Sequence, residues 1–367
     1  MNGDLAPRVI SAAHVPSITV IIPNRNDSRD LRRCIDSVLD QEIPPDEIIV
    51  VDDQSSDDSV SVIRSLIHDV PRAQLITSDV HLGTNGALNE GLRHTHGDYV
   101  LFLSANDFVL PGIFARAKSC LTREHPPGVW SAMAWLVDDN DHLIRLHPSA
   151  VVSLRDAWFS PEQCLKLARR HGNWFTGTTL IFHCKSLADI GGLDAAYGGL
   201  SDLLTALMVA CRRGAVYTPE PLGAMRVHGG GFLSDTLANV AGFESIIERI
   251  YERGPRLDRR LFNQKFLNRL ALRFRFAAVR ASGGKAIPGF AARYTGFRRA
   301  ALDLLSRCVP SRLPIMRVAL AFLFLRPFDV LPTLWYRLGG AAVVRFRTWL
   351  RGNSCIISRR KFTSHQD

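Results

Sequence analysis

Three things are missing from this 367-residue chain. Its seven cysteines (Cys34, Cys120, Cys164, Cys184, Cys211, Cys308, Cys355) form no C-x-x-C pair and no Cys/His ligand spacing. An odd, dispersed set argues against a disulfide framework and suits a reducing compartment. Long apolar runs are also missing. In the most apolar stretch, "LPIMRVALAFLFLRPFDVLPTLWYRLGGAAVV", the longest uncharged run is Val318–Leu325. That is far below the roughly 18–20 residues needed to span a bilayer. With Trp335, Tyr336 and several arginines nearby, it reads as an interfacial or re-entrant segment. Finally, "MNGDLAPRVISAAHVPS" lacks the basic start and apolar middle of a signal peptide. Residues 1–16 are expected to be a short disordered leader.

What is present is an ordinary globular composition, 46% hydrophobic and 22% charged, with ample material for a core. The charge is unevenly spread. Residues 1–250 carry 21 Lys and Arg against 30 Asp and Glu, a balance of −9, whereas residues 251–367 carry 24 against 5, a balance of +19. A basic tail of this kind seeks polyanions or an anionic membrane surface. Its basic residues alternate with Phe and Leu at helical spacing: Phe262, Phe266, Leu270, Phe274 and Ala277 form one stripe, flanked by Arg260, Arg269, Arg273 and Arg280. This pattern suits a membrane surface or a packed accessory region better than nucleic acid.

The front of the chain alternates β-rich runs with helical patterns. "ITVIIP", "EIIVVDD", "AQLITS" and "DYVLFLS" read as strands, and the segments between them as helices. Leu31, Cys34, Ile35, Val38 and Leu39 recur at helical spacing after the first strand. Farther on, "VWSAMAWLVDDNDHLIRL" reads as two strands around an Asp-Asn-Asp turn, and "SPEQCLKLARRHG" as a capped helix. Strand–helix alternation implies a mostly parallel α/β sheet with helices on both faces. In such sheets ligands sit beyond the carboxyl ends of the strands. Polar clusters lie at those ends: Pro23-Asn24-Arg25-Asn26, Asp52-Asp53 and Ser104-Ala105-Asn106-Asp107.

Each cluster alone is a weak signal, but their order is informative. "TVIIPNRND", "EIIVVDDQSSDDS", "HLGTNGALNEGL", "HGDYVLFLSAND", "GGLDAAYGGLSDLLTALMVACRRGAVY" and "MRVHGGGFLS" follow one another within about two-thirds of the chain. Together they resemble glycosyltransferase family 2, whose members have a Rossmann-like GT-A fold and invert the anomeric centre of a nucleotide-sugar. The resemblance implies a GT-A domain over 17–235, followed by a helical, basic, membrane-associating region over 236–367.

It also implies roles. Pro23, Asn24, Asn26, Asp52 and Asp53 stand where the family holds the base and ribose. Gly83 and Asn89 match the helix beside the nucleotide, although Leu88 replaces a common Arg and His81 a common Asn. The acidic motif departs from the pattern: Ser104, Asn106 and Asp107 replace Asp-x-Asp-Asp and leave one anion. A divalent cation, Mg2+ or Mn2+, is therefore expected to bind weakly, through Asp107, Asn106 and His228, or mainly through diphosphate and water. Arg226 is a second phosphate contact in this reading. Asp202 matches the general base, and Trp174 and Phe175 line the acceptor site.

Structural readings stand beside these: a helix cap for Asp53 or Asp202, and core packing for Trp174 and Phe175. The Q-x-x-R-W signature of processive synthases does not occur, which favours single addition. The expected protein is a cytoplasmic enzyme, peripheral on the inner membrane face, that moves one sugar to a glycan or lipid-linked acceptor in cell-surface polysaccharide synthesis. The alternative is a metal-independent or non-catalytic sugar-nucleotide-binding relative.

Overall fold

The computed structural model describes residues 14–123, 126–227, 239–281 and 296–309, with residues 236, 320 and 342. His228, residues 1–13 of the leader expected over 1–16, and nearly all of the apolar stretch beyond 310 lie outside the described residues. Four parallel strands begin the fold: β1 (Ile18–Asn24), β2 (Glu47–Asp52), β3 (Ala73–Thr77) and β4 (Tyr99–Phe102). They are connected by α1 (Ser28–Leu39), α2 (Ser59–Ile67) and α3 (Gly83–Arg93), and stand in the order β3-β2-β1-β4.

The sheet continues through the antiparallel strand β9 (Leu180–His183) to β6 (Val129–Val137), β10 (Ala215–Arg226) and the short β5 (Phe108–Val109). β6 and β10 are parallel. β7 (Leu143–Leu146) forms the expected hairpin with β6, and β8 (Ala157–Phe159) edges β10.

The strands alternate their side chains between two cores, as a pleated sheet covered on both faces requires. Ile18, Val20, Ile22, Ile48 and Val50 face one way, onto Leu31, Cys34, Ile35 and Val38 of α1 and onto α4 (Ile113–Leu121). The helical spacing of that α1 stripe is thus its buried face. Ile21, Ile49, Val51 and Val100 face the other way, onto Ala87 and Leu88 of α3. Each fully buried aliphatic side chain of this kind stabilises the fold by roughly 1.5–3 kcal/mol.

Three further helices set up the site or cover it: α5 (Pro161–His171), α6 (Cys184–Ala188) and α7 (Ser201–Arg213). α5 begins with a capping box. Ser160 Oγ accepts from the Gln163 N–H at 3.3 Å, and Gln163 Oε1 accepts from the Ser160 N–H at 2.8 Å.

The C-terminal helices α8 (Val240–Leu257), α9 (Gln264–Ala281) and α10 (Gly296–Cys308) join the second core through Phe243, Phe266, Leu270 and Leu302. The stripe Phe262, Phe266, Leu270 and Phe274 is therefore buried inside the protein, with Arg260 exposed and Arg269 and Arg273 half-buried beside it. A bidentate pair between Arg275 and Glu244, both contacts 2.7 Å, ties α9 to α8. Among the described residues, no helix is long and apolar enough to cross a membrane.

Candidate active site

Strand register brings the polar ends together. Asn24 lies beside Asp52, and Ile21 beside Phe102, so the tips of β1, β2 and β4 open onto one edge of the sheet. Asn24 and Asp52 are buried there and bonded to each other. Asn24 Nδ2 donates to Asp52 Oδ1 at 2.7 Å and to Ser55 Oγ at 3.0 Å. Asp52 also accepts from the Ser55 N–H and hydroxyl. Asn24 Oδ1 is a buried acceptor with no partner in the protein. Asn26 adopts a left-handed backbone, φ 59°, and its Oδ1 accepts from the Ser56 N–H at 2.7 Å. These bonds clasp the β1 and β2 loops into one unit, with Pro23 half-buried at its base.

Asp53 has partners within the protein. Its carboxylate accepts from the N–H groups of Leu82 at 2.6 Å and Gly83 at 2.9 Å, and stands 2.8 Å from His81 Nδ1. It thus caps the start of α3, not of the helix that follows it in sequence. Gly83 takes φ 68°, a left-handed conformation that accommodates this turn. Asn89, placed by resemblance beside the nucleotide, is also committed to the protein. Its Nδ2 donates to the Leu193 carbonyl at 2.7 Å, and its Oδ1 accepts from the Leu193 N–H at 2.9 Å. Asn85 Nδ2 adds a bond to the Gly198 carbonyl at 3.1 Å. Together they fasten α3 to the loop that leads into α7, a job the sequence patterns did not reveal.

The turn after β4 leaves Ser104 exposed, Asn106 half-buried and Asp107 buried. The pairing of β5 with β10 carries Asp107 to the end of β10. There its Oδ1 accepts from the Arg226 N–H at 3.0 Å, and its Oδ2 from the Thr178 hydroxyl at 2.7 Å.

Arg226 was expected to reach phosphate. Its side chain is only 4% exposed and is instead spent on the protein. It donates to the carbonyls of Asn106, Asp138 and Asp139, and pairs with Asp141 at 2.7 Å and Asp30 at 3.5 Å. A guanidinium enclosed by five acceptors acts as a staple between the acidic turn, the β6–β7 turn and α1.

Asp202 lies at the first turn of α7, its Oδ1 accepting from the Leu203 N–H at 2.6 Å. Part of the side chain remains accessible, yet the carboxyl sits deep among packed residues, and this burial pushes it above the usual aspartate range. Its neighbour is Gly177: a Cβ placed there would stand 3.2 Å from Asp202 Oδ2. Gly177 and Thr178 belong to one short 3-10 turn, Gly177–Thr179. Asp107 and Asp202 therefore flank the same turn. Neither Thr178 nor Gly177 was singled out in the sequence, because "GTT" carries no pattern of its own.

Trp174 and Phe175 precede that turn and do not line an open acceptor surface. They are 0% and 2% exposed, with ring centroids 4.4 Å apart, and belong to the core.

Of the three expected cation ligands, Asn106 and Asp107 are described and His228 is not. Among the described residues, no group of three or more His, Cys, Asp or Glu side chains is arranged to hold a metal. Both oxygens of Asp107, the single carboxylate of the turn, already accept hydrogen bonds.

Comparison with solved structures identifies the fold. The chain superposes on residues 1–349 of Staphylococcus aureus TarS in complex with UDP-GlcNAc, with a TM-score of 0.57 and 16% identity over 92% of both chains. It also matches the mannosyltransferase PcManGT of Pyrobaculum calidifontis in complex with GDP-Man and Mn2+, with a TM-score of 0.52 and 20% identity over 86% of this chain and 88% of that one. The fold is that of the GT-A glycosyltransferases.

Residues 19–129 match the family model "Glycosyl transferase family 2", and this match, the fold and the glycosyltransferase relatives together support a family 2 glycosyltransferase. An uncharacterized protein of Mycobacterium tuberculosis is 29% identical over 234 residues, 61% of this chain and 71% of its own. The GalNAc(5)-diNAcBac-PP-undecaprenol beta-1,3-glucosyltransferase of Campylobacter jejuni is 37% identical over 99 residues, 27% of this chain and 32% of its own. The chain thus spans about a third of that enzyme's length.

Proposed function

We propose that the protein transfers a single sugar from a nucleotide-sugar to a hydroxyl of a glycan or lipid-linked acceptor, inverting the anomeric carbon. The observation that carries this reading is the shared turn, Gly177–Thr179, which seats Asp202 beside the loop that follows β4. In a single displacement, the acceptor oxygen forms its bond to the anomeric carbon as the bond to the diphosphate breaks. The nucleoside diphosphate departs with the bonding electrons, and the Asp202 carboxylate takes the hydroxyl proton. Burial raises the basicity of that carboxylate, which suits the task. The clasp of Asn24, Asp52 and Ser55 shapes the nucleoside side of the crevice, with Pro23, Asn26, Asp53 and Gly83 around it. Ser104 and Asn106 present polar groups toward the diphosphate.

Several lines support a donor and acceptor of this kind. The structural neighbours were solved with UDP-GlcNAc and GDP-Man. The Campylobacter relative acts on a PP-undecaprenol glycan, and a 30% identical relative from Bacillus spizizenii is a poly(ribitol-phosphate) beta-glucosyltransferase. Both point to cell-surface polymer synthesis. The excess charge of 251–367 supports a cytoplasmic enzyme held peripherally on an anionic membrane face.

Incubation of the pure protein with UDP-, GDP- and dTDP-sugars tests the proposal. Release of nucleoside diphosphate with one donor is expected; no release and no transfer with any of them overturns it. A second reading, a sugar-nucleotide-binding relative without turnover, is favoured by Ser104 and Asn106, which stand where carboxylates are expected. It predicts nucleotide binding with no product.

A further inference from the structure

The turn between β6 and β7 meets the segment that follows β4. Asp138 folds this turn on itself. Its Oδ1 accepts from the Asn140 N–H at 2.9 Å and the His142 N–H at 2.8 Å, and its carbonyl from the Asp141 N–H at 3.1 Å. Asp141 takes a left-handed backbone, φ 63°. Among the described residues, the other non-glycine positions of this kind are Asn26 and Gln54, in the loops after β1 and β2. All three lie in loops that leave strand tips, and strained positions gather where a structure places a ligand.

The Asp141 carboxylate bridges two guanidinium groups. Its Oδ2 accepts from Arg33 Nε of α1 at 3.0 Å, and its Oδ1 pairs with Arg226 Nη2 at 2.7 Å. Both arginines hold the segment after Ser104. Arg226 Nε donates to the Asn106 carbonyl at 3.2 Å, and its backbone N–H to Asp107 Oδ1 at 3.0 Å. The Arg33 guanidinium carbon stands 4.0 Å from the centre of the Phe108 ring. Asn106, Asp107 and Phe108 are thus gripped one after another by two arginines. Like charges drawn to one place repel, and a carboxylate that offers one oxygen to each holds them together. Asp30 assists on one side, 3.5 Å from Arg226, but it is Asp141 that joins Arg226 to Arg33.

We propose that Asp141 is a positioning residue for sugar transfer: by pairing with Arg33 and Arg226 at once, it fixes residues 106–108 where the diphosphate of the donor is bound. The inference rests on the reading above, in which Ser104 and Asn106 form the diphosphate side of the crevice. Asp141 acts through the backbone of Asn106 and the ring of Phe108, so its loss is felt as misplacement of the segment. The sign of its charge makes this role separable from a field effect. Removing an anion near the crevice favours a bound diphosphate electrostatically, whereas loosening the segment weakens it.

Asp141→Asn withdraws the charge and keeps the shape, and Asn tolerates a left-handed backbone. Calorimetry with UDP and UMP, GDP and GMP, or dTDP and dTMP, whichever pair the natural protein binds, reads the ratio of diphosphate to monophosphate affinity. Asp141→Asn is expected to lower that ratio about fivefold or more, and kcat about tenfold or more. Arg33→Gln changes the charge in the opposite direction and should give losses of the same kind. The double variant should lose little more than either, because both substitutions break one bridge. Asp139→Asn is the control: Asp139 is exposed and meets Arg226 through its carbonyl, so ratio and kcat should stay unchanged. Thermal melts show that each variant is folded, and Arg33→Gln carries the test by itself where Asp141→Asn is not. An unchanged ratio and kcat in the folded bridge variants overturn the proposal, as do equal losses in Asp139→Asn or full additivity in the double variant. Failure of the natural protein to bind any of the three pairs overturns the donor reading, and the role of Asp141 with it.

Discussion

Asp107 and Asp202, distant in sequence, meet the protein at adjacent residues: the Thr178 hydroxyl donates to Asp107 at 2.7 Å, and Gly177 abuts the Asp202 carboxylate. The turn that holds them makes the loop after β4 and the start of α7 parts of one site.

Thr178 is the first place to perturb it. Thr178→Val keeps the shape but withdraws the donor from a buried carboxylate oxygen, at a cost of about 1–3 kcal/mol. A lower melting temperature and a lower rate of sugar transfer are expected together. Thr178→Ser, which keeps the hydroxyl, should restore most of both.

Gly177 is needed for its missing side chain, since its backbone is not left-handed. A methyl group there stands 3.2 Å from Asp202 Oδ2, tighter than ordinary van der Waals contact, so the carboxylate must shift by a few tenths of an ångström. Gly177→Ala should lower kcat by about tenfold or more while leaving the affinity for nucleoside diphosphate unchanged. Steady-state kinetics and calorimetric binding measure the two separately.

Asn89 distinguishes a brace from a ligand contact. Loss of its two bonds to Leu193 in Asn89→Ala should destabilise the fold by about 1–3 kcal/mol, seen as an earlier denaturant midpoint. Nucleotide affinity, measured well below that midpoint, should be retained. A large loss of affinity in a fully folded variant would make Asn89 a ligand contact after all.

The buried Asp202 carboxyl also sets a pH dependence. Its folded value is raised, so the stability associated with it is fully present below the unfolded aspartate value and is lost as pH rises through the folded value. Asp202→Asn removes that cost. The variant should melt above the natural protein at neutral pH, with the difference disappearing near about pH 3. For catalysis the sign reverses. A general base must be ionised, so kcat/KM should fall on the acid side at a pH above the ordinary aspartate value of about 4.

Local patterns made much of this legible. The alternation of strands and helices, the stripe of α1, the capping box of α5 and the polar strand ends all arise from neighbours in sequence, and the structure has them in place. What sequence reading missed depends on distant partners. Asn89 meets Leu193, Arg226 meets Asp30 and Asp141, and Asp53 caps α3, the second helix downstream of it. Trp174 and Phe175 have the chemistry of sugar-stacking rings, and only packing reveals them as core. The Phe262–Phe274 stripe had two open readings, and its burial against the catalytic domain decides for packing.

The metal question follows from the same residues. One carboxylate that already accepts two hydrogen bonds offers little to a divalent cation. Chelation with EDTA should therefore change nucleoside diphosphate affinity by less than about tenfold. A larger loss, measured by calorimetry, would show that other groups complete a metal site.

The account is tested most directly by comparing Asp202→Asn with the natural protein on whichever UDP-, GDP- or dTDP-sugar the latter consumes. The variant should bind the nucleoside diphosphate normally and turn over about 100- to 10,000-fold more slowly. Sugar transfer at the natural rate without that carboxylate would contradict the account.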